Sequence, residues 1–274
     1  DPALAEKTIN AYLTESPNAT ELHFRLAGLY LKQDKIKEAK ETLKKIIELK
    51  PEAKEGRNAM LMIARLAFQE SDKETANNYV KDVLDKDKRN LEANLLKARL
   101  DISDGLYDDA ISALRGALRD FANSEEAYVL LGQAYSKKNS PELAEENFRK
   151  ALGINPASFD ALLPVIATMM RNQDTMRAEE LLQKALKTHP DHPGALQALA
   201  QVKIFQKDWT GAQKIADTIG AQNNGKGFSK YLTGKIAEQR GLCQEAVGLY
   251  KDALAISADS AEARAAVEDC ISWW

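Results

Sequence analysis

The sequence predicts an all-α chain, a right-handed α-solenoid of stacked helix–turn–helix units. Three observations carry that expectation. Alanines recur in one register: Ala246, Ala212, Ala178, Ala144, Ala110 and Ala76 stand 34 residues apart, Ala39 lies 37 before Ala76, and Ala5 lies 34 before Ala39. Four residues after each alanine comes the position that needs bulk, held by Ile9, Leu43, Val80, Leu114, Phe148, Leu182, Ala216 and Tyr250. Twelve residues before it a small residue returns (Ala27, Ala64, Ala98, Gly132, Ala200 and Gly234, with Ile166 the exception). A fixed period in this length range is the signature of a repeat architecture. A small residue paired with bulk four positions on marks a helix crossing its neighbour closely.

Taken in order, residues 1–17 read as the second helix of an incomplete repeat. The chain opens Asp1-Pro2-Ala3 without an initiator Met, which reads as a piece of a longer protein. Full repeats follow at 20–53, 57–90, 91–124, 125–158, 159–192, 193–226 and 227–260. Residues 54–56 account for the single 37-residue step and are expected to lengthen a first helix by most of a turn. Residues 125–158 show the unit most clearly. Tyr128, Leu131, Gly132 and Tyr135 share one helical face, Pro141 opens a second run through Ala144, Phe148 and Ala151, and Asn155-Pro156 stops it. Ser124 and Ser140 are N-cap residues by type, and Glu125, Glu126 and Glu142 suit the positive first turns. Pro164 is expected to kink or unwind the first turn of its helix. The glycine- and asparagine-rich stretch 220–227 reads as a fraying loop. Residues 261–274 form a capping helix with Ala263, Ala266, Val267, Cys270 and Ile271 on one face and Glu262, Arg264, Glu268 and Asp269 on the other, followed by Trp273-Trp274. The whole, 1–274, is expected to be one superhelix.

The pattern Leu131-Gly132-x-x-Tyr135 followed by Ala144-x-x-x-Phe148 and Pro156 resembles the tetratricopeptide repeat family. Pro17, Pro51 and Pro190 end other units in the same way, while the third and seventh full repeats are among those that lack that proline. Leu162 and Leu196 stand where the family has Trp. The resemblance implies that first helices line a concave face and second helices a convex one. It also implies a protein-interaction scaffold and no enzyme: no catalytic residue, no metal and no cofactor are assigned. The many degenerate repeats are similar to those of long bacterial proteins of this family in the cell envelope, including ones associated with exopolysaccharide export. That likeness implies a periplasmic or envelope location.

Composition agrees with a binding module. Lys plus Arg number 38 and Asp plus Glu 41, so the net charge is −3, the wrong sign for a general phosphate-binding surface. Nucleic acid is therefore not an expected partner. The longest nearly unbroken apolar run, Ala161 to Met170, is half of what a bilayer span of roughly 20 residues requires, so no membrane insertion is expected in this stretch of chain. No phosphate-binding loop, dinucleotide fingerprint or nucleophile elbow is present. His189 and His192 flank Pro190 and read as solvated turn residues. Cys243 and Cys270 both fall on buried stripes of an antiparallel helix pair. They are either two reduced core thiols, the favoured reading, or a disulfide pinning the cap in an oxidising compartment. The lysines of the first full repeat (Lys32, Lys35, Lys37, Lys40, Lys44, Lys45 and Lys50), interleaved with glutamates, read as a salt-bridged convex face.

The family pattern places Phe24, Leu61, Leu95 and Val129 at one level of the concave face. Arg65, Arg99 and Gln133 stand one turn further on, and Phe68 lies deeper. These are the expected partner-binding residues. Leu and Val occupy the positions where a carboxylate clamp would need Lys. The expected partner is a protein or peptide: an extended or helical segment carrying an occasional acidic residue. Self-assembly through the exposed ends into a homo-oligomer is the alternative.

Overall fold

The computed structural model describes residues 1–272. Among the described residues the regular structure is sixteen α-helices and no strand. The chain is an all-α solenoid of helix hairpins, divided into two compact units, Asp1–Asn147 and Phe148–Trp274. The expected Trp273-Trp274 end and the side chain of Ile271 lie outside the described residues.

The first unit holds α1 (Pro2–Glu15), α2 (Thr20–Lys32), α3 (Ile36–Leu49), α4 (Lys54–Gln69), α5 (Lys73–Lys86), α6 (Leu91–Ser103), α7 (Tyr107–Asp120) and α8 (Glu125–Lys137). The boundary between units falls within α9 (Pro141–Ile154). The three extra residues appear as length: α4 has 16 residues where α2, α6 and α8 have 13. Successive helices pack as hairpins, and the first helices α4, α6 and α8 also touch in sequence. Ala39, Ala76 and Ala110 are buried, as are Leu43, Val80 and Leu114 one turn later. Opposite them lie Ala27, Ala64 and Ala98, also buried. Each large apolar side chain removed from water here contributes on the order of 1.5–3 kcal/mol. Because each helix meets only near neighbours, the core is a chain of small clusters instead of one centre. One cluster joins Ala27, Leu43, Ile46 and Ile63; the next joins Leu61, Ala64, Val80 and Leu96. α1 buries no side chain and is tied down by Tyr30, whose hydroxyl donates to Glu6 at 3.1 Å.

The second unit holds α10 (Phe159–Arg171), α11 (Thr175–Thr188), α12 (Pro193–Phe205), α13 (Trp209–Gly220), α14 (Lys226–Gln239), α15 (Cys243–Ile256) and α16 (Ala261–Ser272). Two local expectations are corrected. α10 does not unwind at Pro164: it is helical from Phe159 to Arg171, with Leu162, Val165 and Ile166 buried around the proline. Residues 221–225 form a bonded turn instead of a frayed loop. Ala221 N–H donates to Asp217 O at 3.1 Å, Gly225 N–H to Gln222 O at 3.1 Å, and the Gln222 side chain to Asp191 O at 3.3 Å.

The period also shows in the backbone. Within each hairpin one residue takes the left-handed conformation: Asp34, Ser71, Gly105, Asn139, Gln173, Lys207 and Gly241, with φ between 55° and 79°. The N–H of the next residue returns to the carbonyl five positions before it, as in Lys35 N to Tyr30 O at 2.9 Å and Asp208 N to Lys203 O at 2.9 Å. This is the Schellman closure of a helix, normally built with glycine. Here five of seven are not glycine; Asp34 and Asn139 are types that adopt this conformation readily, whereas Ser71, Gln173 and Lys207 are strained there and held by the rest of the fold.

Candidate functional site

Residues one period apart on α4, α6 and α8 fall at one height along the stack, so the expected groove positions become rows. The apolar row is the more deeply placed. Leu61 is fully buried, and Leu95 and Val129 are 7 % and 5 % exposed. These three chiefly seal one first helix against the next. Phe24 on α2, Phe68 on α4 and Gln133 on α8 are each half-buried.

Arg65 and Arg99 are exposed, and neither stands free. The Arg65 guanidinium meets the Glu92 carboxylate at 2.8 Å, and that of Arg99 meets Glu126 at 2.8 Å. In both cases the acid lies 27 residues after the base, so the same rung is built twice, one period apart. Arg99 Nε also donates to Glu126 at 3.3 Å. Between the rungs lies a groove of about 440 Å³ lined by Phe68, Gln69, Leu95 and Leu96. Both pairs are solvated, and exposed pairs of this kind are worth about 0–1 kcal/mol. Each guanidinium is therefore only weakly committed to its glutamate. Reading the arginines alone missed these acids. The signal was present in the sequence, because Glu92 and Glu126 are themselves separated by one period.

The second unit carries its own apolar groove on its first helices, about 310 Å³ lined by Met170, Ile204, Phe205, Tyr231 and Leu232, with Lys235 and Gln239 at its edge. Burial pushes the Tyr231 hydroxyl above its ordinary pKa. Lys235 is engaged by Glu238 at 3.2 Å, and the buried Tyr250 hydroxyl donates to the same carboxylate.

The histidines serve as fasteners. His192 Nδ1 accepts the Ala195 N–H at 3.2 Å and so caps α12, which fixes its other nitrogen as the protonated one. Its ring stacks on Phe159 with centroids 3.5 Å apart and planes 10° from parallel, and His189 meets the same ring edge-on at 5.5 Å. His23 is buried, and its Nε2–H donates to Pro17 O at 2.8 Å. Among the described residues no three His, Cys, Asp or Glu side chains converge as a metal site, and no helix is long and apolar enough to cross a membrane. In the lysine-rich repeat, Lys35 pairs with Glu6 at 3.5 Å and Lys40 with Glu70.

Two tetratricopeptide repeat family models match the chain, at residues 125–158 and 169–227. A third, described as the second ARM domain of tetratricopeptide repeat protein 21, matches residues 1–105. Similar solved structures include a tetratricopeptide repeat protein from Parabacteroides merdae, at 15 % identity and TM-score 0.62, covering 92 % of this chain and 98 % of that one. PilW, a type IV pilus biogenesis factor, matches at 23 % identity and TM-score 0.63, over 78 % of this chain and 99 % of its own. A chain of the APC/C hetero-tetramer Cut9-Hcn1 matches at 16 % identity and TM-score 0.67, over 96 % of this chain and 51 % of its own. At these identities the likeness is one of fold.

Proposed function

This chain belongs to the tetratricopeptide repeat family, and we propose that it is a non-enzymatic scaffold holding an extended partner segment across the first-helix face of its first unit. The observation that carries the reading is the repeated rung, Arg65–Glu92 and Arg99–Glu126, standing over an apolar floor. Phe24, Phe68 and the exposed edge of Leu95 offer apolar contact. Arg65, Arg99 and Gln133 offer donors to the segment's backbone and to its occasional acid. Leu61 and Val129 support that surface from beneath. PilW, a type IV pilus biogenesis factor of the same fold, is in keeping with a role in building an assembly.

Selection from a displayed random-peptide library against the intact chain, followed by calorimetry, tests this reading. Selected peptides are expected to carry Asp or Glu between apolar residues and to lose at least about tenfold in affinity against the Arg65→Ala, Arg99→Ala double variant. Peptides with no acidic preference, or bound equally well by that variant, would reject the groove as the site.

A further inference from the structure

The end of the second unit carries chemistry that an interaction scaffold does not need. Cys243 is the first residue of α15 and is half-buried; Cys270 lies near the end of α16 and is 3 % exposed. Both belong to one apolar cluster with Ala237, Ala246, Tyr250 and Ala266. The two side chains share that cluster as neighbours on adjacent helices, and both are free thiols. α15 and α16 pack directly, with Cys243 at the start of the one and Cys270 near the end of the other. Burial, with Glu238 and Cys243 facing it, pushes the Cys270 thiol above its ordinary pKa. The pair is therefore unequal: Cys243 is partly exposed to solvent, and Cys270 is buried.

We propose that Cys243 and Cys270 form a reversible redox latch that fastens the terminal helix α16 to the last repeat by thiol–disulfide exchange with a small or protein disulfide. The Cys243 thiolate attacks one sulfur of the incoming disulfide, whose S–S bond breaks and releases one thiolate. The mixed disulfide on Cys243 is then attacked by the sulfur of Cys270, whose proton passes to solvent or to the released thiolate. The second half of the oxidant leaves, and a Cys243–Cys270 bond remains. Two protein thiols lose two electrons, and one disulfide becomes two thiols. This order follows from access, since the attacking thiol in such exchange is the exposed one and the resolving thiol the one beside it. The new bond closes a loop of about 28 residues, which in the chain-entropy picture lowers the population of the detached state about 400-fold. Release of α16 in the reduced chain uncovers Ala246 and Tyr250, which share a cluster with its Ala266.

The test incubates the intact folded chain with oxidised glutathione and then combines mass spectrometry, thiol counting and hydrogen exchange. Both thiols are expected to disappear together, with a monomer mass lower by two hydrogens and no retained glutathione. Protection of the α16 amides is expected to rise by about two to three decades and to return to its starting level on reduction. The Cys270→Ser variant is expected to accumulate glutathione on Cys243, and Cys243→Ser to leave Cys270 unreacted. Persistent glutathionylation of the wild-type chain, a disulfide between two chains, two unreacted thiols, or a bond that leaves α16 protection unchanged would each overturn the latch. All of these readings are on the wild-type chain and stand even where a serine variant fails to fold.

Discussion

Gly234→Ala and Gly248→Ala are the same chemical change in neighbouring helices of one repeat, and the structure gives them opposite signs. A β-carbon at position 234 would stand 2.5 Å from Cε1 and 2.6 Å from Cδ1 of Tyr250. Carbon atoms prefer about 3.5–4.0 Å, so the overlap is about 1 Å. The ring has no easy retreat. Tyr250 is fully buried, its hydroxyl is bound to Glu238, and Tyr231 lies against it with centroids 5.7 Å apart. Overpacking of this kind costs about 1–3 kcal/mol, and a fixed ring puts it near the top of that range. Replacing glycine inside a helix returns about 1 kcal/mol of helix propensity. The net expectation is a loss of about 2 kcal/mol. At Gly248 nothing lies within 4 Å of the added carbon, so the propensity gain stands alone as a stabilisation. The two variants should thus differ by about 3 kcal/mol. Urea unfolding followed by circular dichroism measures the global part. Hydrogen exchange on α14 and α15 measures the local part, since repeat arrays need not unfold in one step. A stabilised Gly234→Ala, or one within about 0.5 kcal/mol of Gly248→Ala, would refute the close crossing as the reason for a small residue at this register.

Lys207 and Gln173 occupy left-handed turn positions where Gly105 and Gly241 sit in sister hairpins. Lys207→Gly and Gln173→Gly should each stabilise the chain by about 0.5–1 kcal/mol, the strain relieved less the freedom given to the unfolded chain, and their effects should add in urea titrations. His192→Ala should cost about 2 kcal/mol by removing both the cap of α12 and the ring on Phe159, while His192→Asn should restore the cap's share, about 1 kcal/mol. Two carboxylates should give opposite pH slopes. The Gly211 N–H, and after it Lys203, hold Asp208 below the usual carboxylate range. Its stability contribution is therefore present above the unfolded value and lost as pH falls through the lower folded one. Burial raises Asp101 despite its pair with Lys97, so the fold favours its proton and loses stability as pH rises from the unfolded value through the folded one. Unfolding titrations over roughly pH 2–6 should lose the acid-side fall in Asp208→Asn and the rise-side loss in Asp101→Asn.

The period was legible because it is written in side-chain volume. A helix crossing tolerates only a small residue, and Ala39, Ala76, Ala110, Ala178, Ala212 and Ala246 are all fully buried there. The turns were less legible. Their left-handed residue is set by the geometry of the next helix, so Lys207 and Gln173 carry no local sign of it. Pro164 misled for the converse reason, a local rule overridden by buried neighbours. At the groove, the rows were readable but depth was not. Leu61 and Phe68 are both apolar residues on one helix, and only packing against α6 decides that the first is sealed while the second shows a face. Stacking of His192 on Phe159 joins residues 33 apart and falls outside any one-helix pattern.

The self-neutralised rungs carry a kinetic consequence. A surface whose arginines are each matched by a glutamate projects little field beyond a Debye length of roughly 8–10 Å. A segment approaching it is not drawn in from afar, so its arrival should fall near the unsteered range of about 10⁵–10⁶ M⁻¹s⁻¹ and respond weakly to added salt. Discrimination between candidate segments then rests on residence time, on how long each one keeps Glu92 and Glu126 displaced once it has landed.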